Sequence, residues 1–168
     1  MSRTRRAAFS VHAPEPDEAA ELARQLGLPP GALASTSAAR AVVLLDADRR
    51  PVAAGVLYTT PMQPTPDAAR IENVALRPDL PDPDAADGLA ALAKLAADAA
   101  RSAGLARGVL AIPADNEPLH RAAAAAALAP TDSGPYKPTA AGAVEYLHGY
   151  TSHEGFFIDY QPADDAGA

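Results

Sequence analysis

The stretch ARIENVALRP, residues 69–78, decides the fold of this chain. Ile71, Asn73 and Ala75 alternate with Glu72, Val74 and Leu76, the period-two spacing of a long strand, and Pro78 ends it. Downstream the period changes. From Asp84 to Ala103, Leu89, Leu92, Leu95, Ala96, Ala99 and Ala103 share one helical face, with Asp87, Lys94, Asp98 and Arg101 opposite, and Gly104 caps the helix. Gly108 to Ile112 is an apolar strand. Asp115 or Asn116 can then cap a helix carrying six alanines, Ala122 to Ala127, the residue with the highest helix propensity. Strand, helix, strand and helix between Ala69 and Pro130 form an α/β unit, and a ligand is expected there.

Upstream, Ala41 to Leu45, a turn at Asp46 to Arg50 and Pro51 to Tyr58 read as a β-hairpin. Before it come a short strand, Ala8 to His12, and a helix, Asp17 to Leu26, stopped by Gly27 and Pro29. Gly31 to Ala39 is a second short helix or a loop. Beyond Pro130 the pattern suggests strands at Thr131 to Lys137, Ala143 to His148 and Phe156 to Tyr160. Residues 1–161 are therefore expected to form a single domain and 162–168 a disordered tail.

Composition narrows the chemistry. The 168 residues include no Trp, three Phe and no Cys, so the core must be Ala, Leu and Val with close helix packing, and thiolate or Cys-zinc chemistry is excluded. A net charge of −7 argues against a nucleic-acid partner, which needs Lys and Arg to displace counterions. Arg3, Arg5 and Arg6 precede no apolar run of signal-peptide length, and no stretch approaches the roughly 20 apolar residues of a membrane span. The expectation is a soluble, cytoplasmic protein with no membrane partner.

The element order from Ala8 to Tyr150 resembles the GNAT acyltransferase superfamily. The resemblance sharpens at Ile71 to Leu76 followed by Arg77 and Pro78, which is similar to the family's fourth strand and its Val-x-Pro type boundary, and at Asn116, which resembles the Asn opening the family's fourth helix. It implies a mixed α/β sheet with a β-hairpin, splayed central strands and flanking helices. It further implies an acyl-CoA-dependent N-acyltransferase, with acetyl-CoA or another acyl-CoA as co-substrate, acting on a small amine.

By that resemblance, backbone groups of Val74, Ala75 and Leu76 would hold the thioester and pantetheine arm, Asn116 would bond the arm, and Gly88 and Ala90 would belong to the pyrophosphate loop. The sequence departs from the family in three places. Ala85 stands where the loop usually has Arg or Gln. Asp79, Asp82, Asp84 and Asp87 crowd the same region, where one unit charge about 6 Å from a phosphate repels by roughly 3 kcal/mol at an effective dielectric near 20. A helix start returns only about 0.3 to 2 kcal/mol, so Arg77 or Arg121 would have to offset them, unless Asp84 or Asp87 caps the helix and the others face water. Ala123 replaces the family's proton-donating Tyr, leaving Tyr136 or Tyr146 as substitute acids, or as structural tyrosines.

Glu72 is the candidate base, a carboxylate beside the splay whose burial would raise its pKa; equally, it can pair with Arg70. His120, one turn after Asn116, is either a proton relay or a helix-start histidine, and Asn116 is equally explained as a cap. His148, His153, Glu154 and Asp159 match no standard metal spacing, and no metal is expected. Tyr146, Tyr150, Phe156, Phe157 and Tyr160 make either a homodimer or substrate surface, or part of the core. The alternative function is a GNAT-fold protein with altered or lost CoA use, either a small-molecule biosynthetic enzyme or a noncatalytic binding or dimerisation module.

Overall fold

The computed structural model describes residues 8–37, 39–61, 67–113, 115–131, 137–138, 144–145 and 157–162. In chain order the strands and helices are β1 (Ser10–His12), α1 (Pro16–Gln25), β2 (Ala39–Leu45), β3 (Pro51–Tyr58), β4 (Ala68–Leu76), α2 (Asp82–Ala103) and β5 (Arg107–Pro113). They continue with α3 (Glu117–Ala125), β6 (Leu128–Pro130), β7 (Lys137–Pro138), β8 (Val144–Glu145) and β9 (Phe157–Pro162). Seven strands form one sheet in the order β1-β2-β3-β4-β5-β9-β6, and β7 and β8 pair separately. Every neighbouring pair is antiparallel except β4 and β5, which are joined through α2 and run parallel.

Each face of the sheet buries its own apolar cluster. Val42, Leu44, Leu57, Ile71, Val74, Leu110 and Ile112 pack with Leu89, Leu92 and Ala96 of α2 and Leu119 and Ala123 of α3. Ala41, Val43, Leu45, Ala54 and Val56 meet Ala19, Ala23, Leu26 and Leu33 on the other face. The Ala-rich composition shows its use at Gly108, where a Cβ would collide with the backbone of Ala96 and Ala97. Helix α2 thus rests almost directly on β5, a spacing that larger residues would prevent.

Several boundaries differ from the sequence expectations, each for a local reason. Residues 30–37 are turn and loop, resolving the ambiguity at Gly31 to Ala39, the last residue of which opens β2. Helix α2 begins at Asp82 behind Pro81, with no side-chain cap, so neither Asp84 nor Asp87 caps it. The alanine run leaves the helix after Ala125, and Ala127 takes φ +57° to turn into β6. Pro162, assigned to the tail, pairs with Leu128 in β9, while 163–168 lie outside the described residues.

The largest difference lies in β4. Glu72 opposes Val56 but Ala75 opposes Ala54, so β4 carries one residue more than β3 over this interval. That residue is Asn73, with φ +54°, exposed, its side-chain amide donating to the Ala32 carbonyl at 3.2 Å. The bulge resets the alternation: Ile71 and Val74 share the α2 face, whereas strict period two places them on opposite faces. Asn is among the few residues that enter the left-handed region readily.

Candidate active site

The pairing of β4 with β5 runs from Ala68↔Arg107 to Ile71↔Leu110 and stops there, just before the bulge. Beyond it β4 continues to Leu76 beside β3, while β5 continues to Pro113 beside β9, so the central strands part. A cleft of 460 Å³ opens along the freed edge, lined by Leu26 to Leu28 after α1, by Val74 to Pro78, by Asp82 and Ala85 at the start of α2, and by Asn116, Leu119, Arg121 and Ala122 around α3. That volume suits a small-molecule ligand.

Backbone direction can be followed residue by residue. The Arg77 amide donates to the Val52 carbonyl at 2.8 Å, and Leu76 opposes Ala53. Since successive residues of an antiparallel pair alternate, the amides of Leu76 and Val74 turn away from β3 towards the gap, and that of Ala75 turns to β3. Val74, Ala75, Leu76 and Asn116 therefore meet in one cleft, with only the first and third offering backbone N–H groups to it. Asn116 also acts as a helix cap, its Oδ1 accepting from the Leu119 amide at 3.3 Å.

Gly88 and Ala90 are not brought to the cleft. They lie beyond the first turn of α2, and Gly88 is buried where a Cβ would approach Leu76, Val52 and Ala53. The start of α2 carries a different feature. Four N–H groups are normally free there, at the cap and the next three residues. Here Pro81 and Pro83 have none, and the Asp84 amide donates to the Pro81 carbonyl at 3.0 Å, which leaves the amide of Asp82. Of the four aspartates only Asp82 lines the cleft; Asp79 is 73 % exposed and lies 3.2 Å from Arg77.

Two arginines line the same cleft, a feature of its wall that the sequence had left open. Arg77 is held by Asp46 of the β2–β3 turn and by the Pro51 carbonyl, each 3.2 Å from Nη1. Asp46 is itself fixed by the amides of Asp48 and Arg50, both at 2.9 Å, which keep its carboxyl below the ordinary range, the Arg50 amide contributing most. Arg121 projects from α3 with an exposed side chain.

Glu72 stands where β4 and β5 part. Its register partner Val56 and that of Arg70, Tyr58, belong to the α1 side of the sheet, so Glu72 and Arg70 point to that side, and neither lines the cleft. Both are buried, and Arg70 Nε donates to Glu72 Oε1 at 2.9 Å. The same guanidinium reaches Asp159 of β9, 2.7 Å from Nη1 to Oδ2. Burial pushes the Asp159 carboxyl above its usual range, Arg70 opposing and Glu72 adding to the rise, and Asp159 Oδ1 is buried without a hydrogen-bond partner among the described residues.

A carboxyl raised in the folded state binds a proton that the unfolded chain has released, so its contribution is present below the unfolded value of 3.8 and declines as pH rises towards the folded value. Asp159→Asn should remove that decline. Urea denaturation across the acidic to neutral range is expected to show wild-type stability falling relative to the variant as pH rises; a difference independent of pH would contradict it.

His120 has both ring nitrogens engaged. The Pro113 carbonyl, 2.8 Å away, can only accept, so Nε2 carries the proton, and in the neutral ring the Tyr160 hydroxyl donates to Nδ1 at 2.7 Å. Burial raises the Tyr160 hydroxyl. This places His120 as a tie between α3, β5 and β9. Tyr136, Tyr146, Tyr150, Phe156, His148, His153 and Glu154 lie outside the described residues, as does the side chain of Phe157. Among the described residues no cluster of three His, Asp or Glu could hold a metal, and no helix is long and apolar enough to cross a membrane.

No family model and no curated protein sequence matches the chain. Solved structures do. A ribosomal-protein alanine N-acetyltransferase from Escherichia coli superposes with a TM-score of 0.54 at 18% identity, over 95% of this chain and 97% of the other. A GCN5-related N-acetyltransferase from Kribbella flavida gives 0.50 at 15% identity, over 92% and 98%. The fold is the GNAT fold. A spermidine N-acetyltransferase variant from Vibrio cholerae shares it, with a TM-score of 0.51 at 11% identity over 90% and 91% of the two chains. Within this GNAT fold the parting of β4 and β5, the Asn73 bulge and the cleft beneath them are features of the chain itself.

Proposed function

We propose that the protein is an acyl-CoA-dependent N-acyltransferase, with acetyl-CoA the first donor to test and a small amine as acceptor. The observation that carries this reading is the parting of β4 from β5, beyond which the Val74 and Leu76 amides have no strand partner among the described residues and lie along the wall of a cleft. An extended arm bearing amides would complete the missing ladder there, with Leu76 and Asn116 as its partners. Bound acyl-CoA supplies the thioester. The Val74 amide, at the fork, would hold the acyl oxygen as negative charge develops on it. Glu72 would take the proton from the attacking amine, which reaches the fork from the α1 side of the sheet; as the C–N bond forms the C–S bond breaks and CoA leaves as its thiolate, with Tyr136 the proposed proton donor to it.

The fit to the co-substrate is uneven along the cleft. The strand edge suits the pantetheine arm. The start of α2, with prolines at two of its four donor positions, does not present the row of amides that usually receives a pyrophosphate. A GNAT-fold protein with altered CoA use is the second reading, and this proline-interrupted helix start is what favours it.

Thermal denaturation with acetyl-CoA and longer acyl-CoAs tests the first reading. A ligand at about one hundred times its Kd adds roughly 2.7 kcal/mol and should raise the midpoint by several degrees in a domain of this size. No shift with any CoA ester would remove it.

A further inference from the structure

Resting on the acyl-CoA reading, we propose that the phosphates of the donor are gripped by the side chains of Arg77 and Arg121, which line the cleft from two different elements, in place of the amides at the helix start. The start of α2 cannot do this work alone: Pro81 and Pro83 carry no N–H, Asp84 has its amide bonded to Pro81, and Asp82 faces the cleft with a carboxylate. Side-chain cations are the remaining source of positive charge. The described wall holds two guanidiniums against that one carboxylate.

Arg77 enters from the end of β4 and Arg121 from α3, so two separate elements bring a guanidinium to the cleft that Val74 to Leu76 line. Arg77 is already oriented, one edge of its guanidinium anchored to Asp46 and the Pro51 carbonyl. Its Nε is buried and lacks a well-formed hydrogen bond among the described residues, although Asp79 Oδ1 lies 3.2 Å away. A pair with a carboxylate as exposed as that of Asp79 is weak and screened, and a polyanion can displace it. Arg121 makes no ion pair among the described residues and is exposed, hence available to close over a bound phosphate. Planar guanidiniums suit phosphate oxygens because they offer two parallel donors.

The same geometry separates the two halves of the donor. Pantetheine should depend on the strand edge and be indifferent to the arginines, whereas CoA should depend on both. Calorimetric titration of the full chain with CoA and with pantetheine, in wild type, Arg121→Gln, Arg77→Gln and Arg101→Gln, tests this. Arg101 lies at the far end of α2, paired with Asp98, and serves as a charge-matched control. Arg121→Gln is expected to weaken CoA about ten- to hundredfold and leave pantetheine unchanged, with Arg101→Gln affecting neither. Because Arg77 also braces the β2–β3 turn, the exposed Arg121 decides the matter if Arg77→Gln unfolds. Wild-type affinity for CoA in Arg121→Gln would overturn the clamp while leaving the acyltransferase reading intact. Failure of wild type to bind either compound would overturn both.

Discussion

Glu72→Gln is expected to lower kcat/KM for acyl transfer by about 10²- to 10⁴-fold while leaving the Kd for acyl-CoA within about twofold of wild type. The substitution is nearly isosteric, and the Gln side-chain oxygen can still accept from Arg70 Nε, the bond that Glu72 makes at 2.9 Å. What it loses is the ability to take a proton. Glu72 precedes the Asn73 bulge and follows the last β4–β5 pair, so it is the titratable group of β4 at the fork. Steady-state kinetics with calorimetric binding separates the effects: undiminished turnover would exclude Glu72 as base, and loss of both binding and turnover would assign it to structure.

Arg70→Met should have the largest effect on stability. Arg70 is 1 % exposed and serves two carboxylates, Glu72 at 4 % and Asp159 at 3 %. Removing one partner of a buried ion pair costs about 3 to 5 kcal/mol because the remaining charges are stranded, and at 2 to 4 °C per kcal/mol the midpoint should fall by roughly 6 to 20 °C. The loss has a signature that a packing defect lacks. Without the cation the Asp159 carboxyl, already raised by burial, loses the group that opposes the rise, so the variant keeps more stability at low pH and loses it as pH rises. Urea denaturation at several pH values would show this; a loss equal at all of them would mean that Arg70 contributes packing alone.

The architecture was readable because each element carries its own local signal. The hairpin has a turn between apolar runs, α2 has a helical stripe closed by Gly104, and β4 has alternation ended by Pro78. Asn73 held a weaker signal: an Asn within a strand is where a left-handed residue fits, yet period two fits the same letters, and only the register with β3 distinguishes them. Motif spacing put the phosphate loop at Gly88 and Ala90, but a helix start is set by its cap, and Pro81 and Pro83 begin α2 six residues earlier than Gly88.

The charges were least legible. The pairing of Glu72 with Arg70 follows from two positions on one strand face, whereas Asp159 is 89 residues away in sequence and reaches Arg70 only through the insertion of β9 beside β5. The four aspartates looked alike as letters. Three-dimensional placement leaves Asp82 in the cleft and turns Asp79 to Arg77, so the local repulsion is smaller than their number suggested.

The most direct measurement is titration of ¹⁵N-labelled protein with acetyl-CoA, followed at individual backbone amides. If the parted strands hold the donor, the amides of Val74 and Leu76 shift most among the strands, together with the side-chain amide of Asn116, while those of Val43 and Leu45 across the sheet stay in place. Saturable binding that leaves Val74, Leu76 and Asn116 unmoved, or no binding at all, would contradict the assignment of this cleft to an acyl-CoA.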